Sequence, residues 1–560
     1  MRPAHRSHDL AAVLVFAGVA ALLAWMAFGD ESLSAEQSNL AAAAMKSHDA
    51  GLFTGDPLFS RENAWRCGSP GFGGIVEGLL ALGGWRDPLL PFRLLVGPLV
   101  LLYLCGAYAL FRSQCRSWSV SAFVAILSVA TVPALSGAFW GVGSLSSITP
   151  EGLCVCLSPP IVLAFLLWRE YRMRLLVFLL AGAMGNIHFA SAVNLVIVLA
   201  MCHLVERRMA AGAWLGLAPL CLAAAVGASP FLAFHFHPIV SPASGMLVDP
   251  TAAARALHIA EPAVLFPQLL GDAPNWLLRA AALALPSVLL VQVRRFRPRK
   301  AVFGITFAIG TIVIALGFQG VSQLVAPLLG GRPPFIGFAQ SSALLMLPLY
   351  VLFAQTLAGL FRLVRPHRGL LQAACAVAMT IWMLPSDNVR VLRHGLYKLA
   401  TVFCGEEDKP RKVQRIEERR QADMELKALA RWAADNTPKE AVFLTDRGEF
   451  RALCGRGIVA GGADWRCFYP NDRAAMGRWG GRWERQAALL HPTGDKLSGK
   501  DIALFFSQLS DMGDLPPDGA GRYVIAPAQQ TVKEQGYLVA ESSELWGRHY
   551  RLYRLLPPSG

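Results

Sequence analysis

Two adjacent carboxylates, Asp30 and Glu31, follow directly on an apolar run from Leu10 to Phe28. A carboxylate at the edge of a bilayer is partly desolvated, which raises its pKa and makes it a better proton acceptor near neutral pH. The pair equally suits a plainer role, marking the water boundary after a membrane-length helix. Both readings stand at this point. Glu36, Asp49 and Asp56 follow in the same polar stretch. Glu151 heads a later apolar run behind "GVGSLSSITP", where the helix dipole favours an acid and where an acid can also meet a substrate. Arg332 is the single basic residue of "LGGRPPF"; its guanidinium fork suits a phosphate, whether on a substrate or on a lipid headgroup. His188, in "GNIHFAS", interrupts apolar sequence and requires a hydrogen-bond partner there. It reads either as a helix-junction residue or as part of a site.

Other motifs carry less. His235-x-His237 places both rings on one face only in a strand, and no third ligand stands at a metal-site spacing. "GSPGFGG" has no preceding strand and no following Lys-Ser/Thr, so it reads as a turn, not a phosphate loop. Cys154-x-Cys156 lies inside an apolar run, where cysteine is a small apolar residue. No cofactor is assigned, although a divalent metal is compatible with the acids.

The elements that must position these residues are membrane helices. The chain has 560 residues, of which 54% are hydrophobic and 16% charged, against about a quarter charged in soluble proteins. Its charges cluster between apolar stretches long enough to cross a bilayer. Eleven spans are expected, at residues 10–28, 92–111, 118–140, 151–168, 175–187, 189–205, 212–232, 275–293, 301–328, 337–360 and 369–385. The fifth and sixth are short and fit one broken, re-entrant unit as well. Alternate loops hold seventeen Lys and Arg residues and the opposite loops about six. The positive-inside rule then puts the N-terminus in the cytoplasm and everything after residue 385 outside. This topology accounts for much of the +14 net charge, and the basic run "KPRKVQRIEERR" suits anionic lipid headgroups. No interleaved aromatic–basic motif for nucleic acid is present.

Three regions follow: a transmembrane domain over 1–385 with long exterior loops at 29–91 and 233–274, a basic amphipathic linker over 386–425, and an exterior domain over 426–560. Apolar spacing over 32–50 and 74–83 predicts helices lying on the membrane surface. In the tail, "ELKALARWAADNTP", "EFRALC", "NDRAAMGRWGGRWERQAALL" and "DIALFFSQL" read as helices. "AVFLT", "GIVAGG", "RYVIAP", "GYLVAE" and "YRLYRLL" read as strands, an alternation expected of a small α/β domain. Of eleven cysteines, Cys67, Cys404, Cys454 and Cys467 fall on the exterior side. Cys454 and Cys467, which bracket one strand, are the expected disulfide pair.

With these features assembled, the chain resembles the GT-C class of polytopic glycosyltransferases, which use polyprenyl-phosphate-linked sugars at the exterior membrane face. "FGDESLSAEQSNLAAAAMKSHDAGLFTGDPLF" resembles the first loop, where such enzymes keep an essential acid. "LARWAADNTPKEAVFLTD" and "FRALCGRGIVAGG…RWGGRWERQ" resemble the exterior domains of oligosaccharyltransferase-like proteins and their bacterial relatives. The resemblance implies catalytic roles for Asp30 and Glu31, and donor or acceptor contacts for Asp49, Asp56, Glu151, His188 and Arg332. Arg61, Arg66 and Arg279 are reserves for the phosphate. It also implies a bacterial inner-membrane protein with a lipid-linked sugar donor and membrane lipids as partners. No "WWDYG" acceptor motif is present; "GADWRCFYP" is the nearest aromatic stretch. Two rival functions remain: a catalytically silent relative serving binding or assembly in the envelope, and a lipid or solute transporter. No internal repeat of the kind common in transporters stands out. Nothing in the sequence fixes the oligomeric state.

Overall fold

The computed structural model describes residues 3–28, 33–59, 69–133, 139–144, 148–236, 298–325, 337–363, 411–468, 473–492, 496–515, 521–533, 536–541 and 547–556, with isolated positions at 280–281, 369, 372–375, 377, 386 and 388. The chain is mostly helical, with its larger sheet near the C-terminus. In order come α1 (Pro3–Phe28), α2 (Ala35–His48), α3 (Pro70–Leu82), α4 (Leu90–Cys115) and α5 (Trp118–Leu127). A two-stranded ribbon, β1 (Val132–Pro133) with β2 (Phe139–Trp140), precedes α6 (Pro150–Leu167) and α7 (Tyr171–Ala183). Then follow α8 (Phe189–Glu206), α9 (Ala211–Gly227), α10 (Ser229–Phe236), α11 (Pro298–Ile312), α12 (Gln319–Val325) and α13 (Met346–Leu363).

Among the described residues six helical segments are long and apolar enough to cross a bilayer: Ser7–Phe28, Leu90–Cys115, Pro150–Leu167, Phe189–Glu206, Val302–Val325 and Phe338–Arg362. The molecule is a multi-pass membrane protein. The expected spans at 275–293 and 369–385 lie largely outside the described residues. One expected span needs correction. The run 118–140 is apolar throughout, yet its helix stops at Leu127 and the chain turns into the β1–β2 ribbon. Pro133 has no N–H to continue a helix, and Gly141 and Gly143 take φ values of +94° and +83°, which only glycine adopts without strain. The fifth and sixth spans are two helices, α7 and α8, joined by a 3-10 turn over Met184–Asn186. Asn186 braces that junction. Its Nδ2 donates to the carbonyls of Ala183 and Gly227, and its Oδ1 accepts from the N–H of Phe231.

Helices α7 and α9 pack backbone to backbone. A Cβ on Gly182 would fall on the carbonyl oxygen of Ala224, and one on Gly227 would fall on that of Leu179. Small residues allow such approach where no hydrophobic force drives helices together. Backbone cannot step aside for a methyl group. Gly182→Ala should therefore lower the thermal midpoint of the detergent-solubilised protein, with a cost at the upper end of the roughly 1–3 kcal/mol typical of overpacking. The control is Gly74→Ala in α3, whose Cβ would meet no atom within 4 Å. Equal midpoints for the two variants would refute the tight crossing.

The C-terminal part begins with α14 (Arg411–Asn436), one helix that runs through the expected linker boundary at 425. Next come β3 (Val442–Leu444), α15 (Phe450–Cys454), β4 (Gly457–Ile458), α16 (Trp465–Phe468), α17 (Arg473–Leu490), β5 (Lys496–Ser498), α18 (Gly499–Asp511), β6 (Arg522–Pro527), β7 (Thr531–Lys533), β8 (Leu538–Glu541) and β9 (Tyr550–Leu555). Five strands pair in the order β4-β3-β6-β9-β8. β3 is parallel to β4 and β6, and β9 is antiparallel to β6 and β8. The alternation along a strand sorts side chains to two faces. Phe443, Tyr523 and Ile525 pack with Leu426, Leu429 and Phe450 from α14 and α15. Val442, Leu444, Val524 and Ala526 pack with Ile502, Phe505 and Phe506 from α18.

The expected Cys454–Cys467 disulfide does not form. Cys454 ends α15 inside the sheet core, where burial pushes its thiol up to about 12. Cys467 belongs to the neighbouring cluster built around the membrane helices. The two residues bracket a strand in sequence but serve different cores.

Candidate functional site

The first polar stretch folds into α2, whose start is written in the sequence as Ser34-x-x-Gln37. The Gln37 N–H donates to Ser34 Oγ at 3.3 Å, and the Ser34 N–H donates to Gln37 Oε1 at 3.0 Å. This reciprocal cap satisfies two otherwise orphaned donors. Glu36 sits in the first turn, where the helix dipole favours it. A surface helix would turn its polar residues to water, but α2 buries Gln37, Ser38 and Asn39. Each finds a protein partner. Gln37 Nε2 donates to the Ile148 carbonyl at 3.4 Å, Ser38 Oγ to the Gly448 carbonyl at 2.9 Å, and Asn39 Nδ2 to Asp464 Oδ1 at 3.0 Å. α2 is thus wedged between the head of α6 and the C-terminal part, instead of lying free on a membrane surface.

That wedge brings several functional groups together. Ile148 directly precedes Thr149, whose Oγ1 caps α6 by accepting from the Gly152 N–H at 3.3 Å, and Glu151 occupies the first turn. The N-termini of α2 and α6 therefore meet, two positive dipole ends each carrying one acid. One turn beyond Glu151, the Cys154 thiol donates to the carbonyl of Met184 at 3.6 Å, which ties α6 to the α7–α8 junction and His188. His188 precedes the first turn of α8, with Nδ1 2.7 Å from Ser191 Oγ. Desolvation first, and the charge of Arg466 second, hold its imidazole down to about 4. His188 is neutral at pH 7 and offers one donor and one acceptor, not a cation. Arg466, in α16, is ion-paired with Glu36. Carboxylates, a neutral imidazole and a guanidinium thus line one region, two helix N-termini facing it.

The other end of α2 is different. Asp49 is about half exposed, with Oδ1 accepting from the Gly51 N–H at 2.8 Å and Oδ2 lying 3.6 Å from Lys439 Nζ. The Gly51 N–H, and then Lys439, hold its carboxyl below the usual range despite slight desolvation. Asp56 is wholly buried. Its Oδ1 accepts from the Leu58 N–H at 2.8 Å and Arg451 Nη2 at 3.3 Å; its Oδ2 accepts from Arg451 Nε at 2.6 Å and the Ile458 N–H at 3.0 Å. Four donors fill the acceptor sites of a carboxylate, so Asp56 has none left for a substrate. Burial pushes this carboxyl up, against the downward pull of Arg451. Arg451 is itself fully buried, and it also donates to Asn39 Oδ1 at 2.5 Å, Asp464 Oδ1 at 2.7 Å and Asp464 Oδ2 at 2.8 Å. Asp56, expected at a binding site, instead locks the first loop to the C-terminal part.

Of the residues singled out in the sequence, Glu151 and His188 come together near α2, Asp49 lies at its far end, and Asp56 is enclosed between the first loop and the C-terminal part, sharing Arg451 with Asn39 of α2. Asp30, Glu31 and Arg332 lie outside the described residues, as do Arg61, Arg66, Arg279 and the His237 of the His-x-His pair. Sequence reasoning gave Glu36 no role beyond being one of the loop's acids, and it missed Gln37, Arg451 and Arg466. The Ser34-x-x-Gln37 cap was visible. Arg466 adjoins Trp465 in the one aromatic stretch noted as exterior, and Arg451 is the single charge of a five-residue helix between two apolar strands.

No family model matches the chain, and no curated protein matches it. Among solved structures the chain is similar to ArnT from Cupriavidus metallidurans bound to undecaprenyl phosphate, at 12% identity over 98% of each chain with a TM-score of 0.45.

Proposed function

We propose that the protein is an inner-membrane glycosyltransferase that moves a sugar from a polyprenyl-phosphate-linked donor to an acceptor on the periplasmic face. The observation that carries this reading is the convergence of α2, which starts four residues after the Asp30-Glu31 pair, with the head of α6, His188 and Arg466. A lipid-linked sugar phosphate needs a base for the acceptor hydroxyl, positive charge for the departing phosphate, and a position at the lipid boundary. Arg466 supplies positive charge at this cluster, and the place of Asp30 in the sequence, directly after the apolar run that ends at Phe28, is what supports it as the base at the lipid boundary.

The step is a displacement at the anomeric carbon. Asp30 accepts the proton of the acceptor hydroxyl as its oxygen bonds to that carbon, and the carbon–oxygen bond to the phosphate breaks. The polyprenyl phosphate leaves with the electron pair, its charge offset by guanidinium groups, for which Arg466 and Arg332 are the candidates. Glu31 or Glu151 orients acceptor hydroxyls. The alternation of basic and non-basic loops, read by the positive-inside rule, favours the periplasmic side for the cluster and the C-terminal α/β domain.

The test is transfer of label from a panel of radiolabelled polyprenyl-phosphate sugars, in membranes containing the protein against membranes lacking it. Protein-dependent movement of label off the lipid is the expected result. No movement across a broad panel of donors and acceptors would favour the silent relative. The topology has its own test: a reporter active only outside the cytoplasm should work when fused after residue 145, 250, 333 or 400, and stay silent after 115, 172, 297 or 366. Activity at 297, within "RRFRPRK", would overturn the map.

A further inference from the structure

Arg451 touches neither Glu36 nor Arg466, yet it holds a near neighbour of each. Its Nη1 donates to Asn39 Oδ1 at 2.5 Å, and Asn39 lies three residues after Glu36 on α2. Residues three apart share one helix face. The same Nη1, with Nη2, grips both oxygens of Asp464, two residues before Arg466. Asp464 also accepts from Asn39 Nδ2 at 3.0 Å and from the Gly461 N–H at 2.8 Å, which closes the turn leading into α16. The remaining donors of Arg451 go to Asp56, which pins the chain segment after α2.

We infer that Arg451 is a positioning residue: its planar fork sets α2 and the start of α16 in register, so that Glu36 and Arg466 face each other at the lipid-boundary cluster. The residue acts through others and is not itself catalytic. Geometry favours arginine specifically. Five guanidinium donors in one plane serve Asp56, Asp464 and Asn39 at once, whereas a lysine ammonium has three donors at one point. Full burial makes the arrangement rigid, because losing a partner leaves a desolvated polar group unsatisfied. Two carboxylates on one cation would repel if the guanidinium left, so the register depends on Arg451 staying in place.

As a claim about donor binding, this inference rests on the proposed function; as a claim about geometry it does not, and two experiments separate the two. The first joins Glu36→Cys and Arg466→Cys by a short bis-maleimide linker in the full-length protein, with Arg451 retained or replaced by Met or Lys. Mass spectrometry should find efficient cross-linking with Arg451 and at least a severalfold loss with either replacement, in samples that remain folded by size exclusion. Equal cross-linking in all three would overturn the inference. Should the Met variant fail to fold, Arg451→Lys with Asp464→Asn as a second variant carries the same comparison. The second experiment titrates the lipid donor in the transfer assay. A positioning role predicts roughly a tenfold or greater rise in donor KM for Arg451→Lys per folded molecule. A purely structural role would reduce the number of active molecules and leave KM unchanged, and that result would also overturn it. If the wild type transfers nothing, the proposed function fails while the cross-link still decides the register.

Discussion

Replacing Asp56 by alanine should destabilise the protein by about 3–5 kcal/mol, the range for breaking a buried ion pair from one side. The substitution leaves Arg451 without two of its bonds and strands the N–H groups of Leu58 and Ile458, all in a region closed to water. Each unsatisfied buried donor adds its own desolvation penalty. Asp49, seven residues earlier in the same loop, is the control. Its pairing with Lys439 is about half exposed and spans 3.6 Å, so Asp49→Ala should cost at most about 1 kcal/mol. Thermal unfolding followed by size exclusion in detergent would order the two variants. A midpoint for Asp56→Ala equal to that of Asp49→Ala would show that the lock contributes nothing. Asp56→Asn should resemble the alanine variant more than the wild type. Its amide would turn an N–H₂ donor toward groups that are themselves donors.

The second large effect is on transfer. If Asp30 is the base, Asp30→Asn keeps the size and most hydrogen bonding of the side chain but removes proton acceptance, and transfer should fall ~10²-fold or more. If Asp30 and Glu31 only mark the end of α1, losing either carboxylate should cost at most about 1 kcal/mol locally and leave transfer near wild type. Glu31→Gln is the internal comparison, since residues adjacent on a helix point about 100° apart and both are poorly placed to serve one acceptor. Gly29 precedes Asp30 in the sequence, and glycine permits backbone conformations that other residues resist, which favours Asp30 over Glu31 as the expected base. The rates are to be compared at matched amounts of folded protein. Full transfer by both variants would end the catalytic role of the pair.

What the sequence discloses is decided by how local the cause is. Most of the tail's helices and strands were legible because each has its own period: Leu426, Leu429 and Trp432 mark one helical stripe, and the alternation in "RYVIAP" marks a strand, whereas the three- and four-residue elements β5, β7 and α16 are too short to show one. The capping box at Ser34 is equally local. The end of α5 at Leu127 was legible in principle, since Pro133, Gly141 and Gly143 were present, but apolar composition over 118–140 outweighed them. The Cys454–Cys467 pairing failed for a related reason, because separation along the chain says nothing about which core each thiol enters. Asp56 could not have been read at all from its own surroundings. In "LFTGDPLF" it looks like a solvated loop acid, and only Arg451, 395 residues away, makes it a buried one.

The same separation sets a clock on biogenesis. At about 5–20 residues per second, a ribosome needs roughly 20–80 s to pass from Asp56 to Arg451. Through that interval the emerged first loop has no guanidinium to receive its acid, and Phe59 lacks the Arg451 that lies over its ring in the finished protein. The segment must wait, hydrated and sticky, while the membrane helices are inserted behind it. A chain that stops short of Arg451 never ends the wait, so its N-terminal loop stays open to proteases and holding chaperones. Damage near the end of the message is thereby displayed near the beginning of the protein.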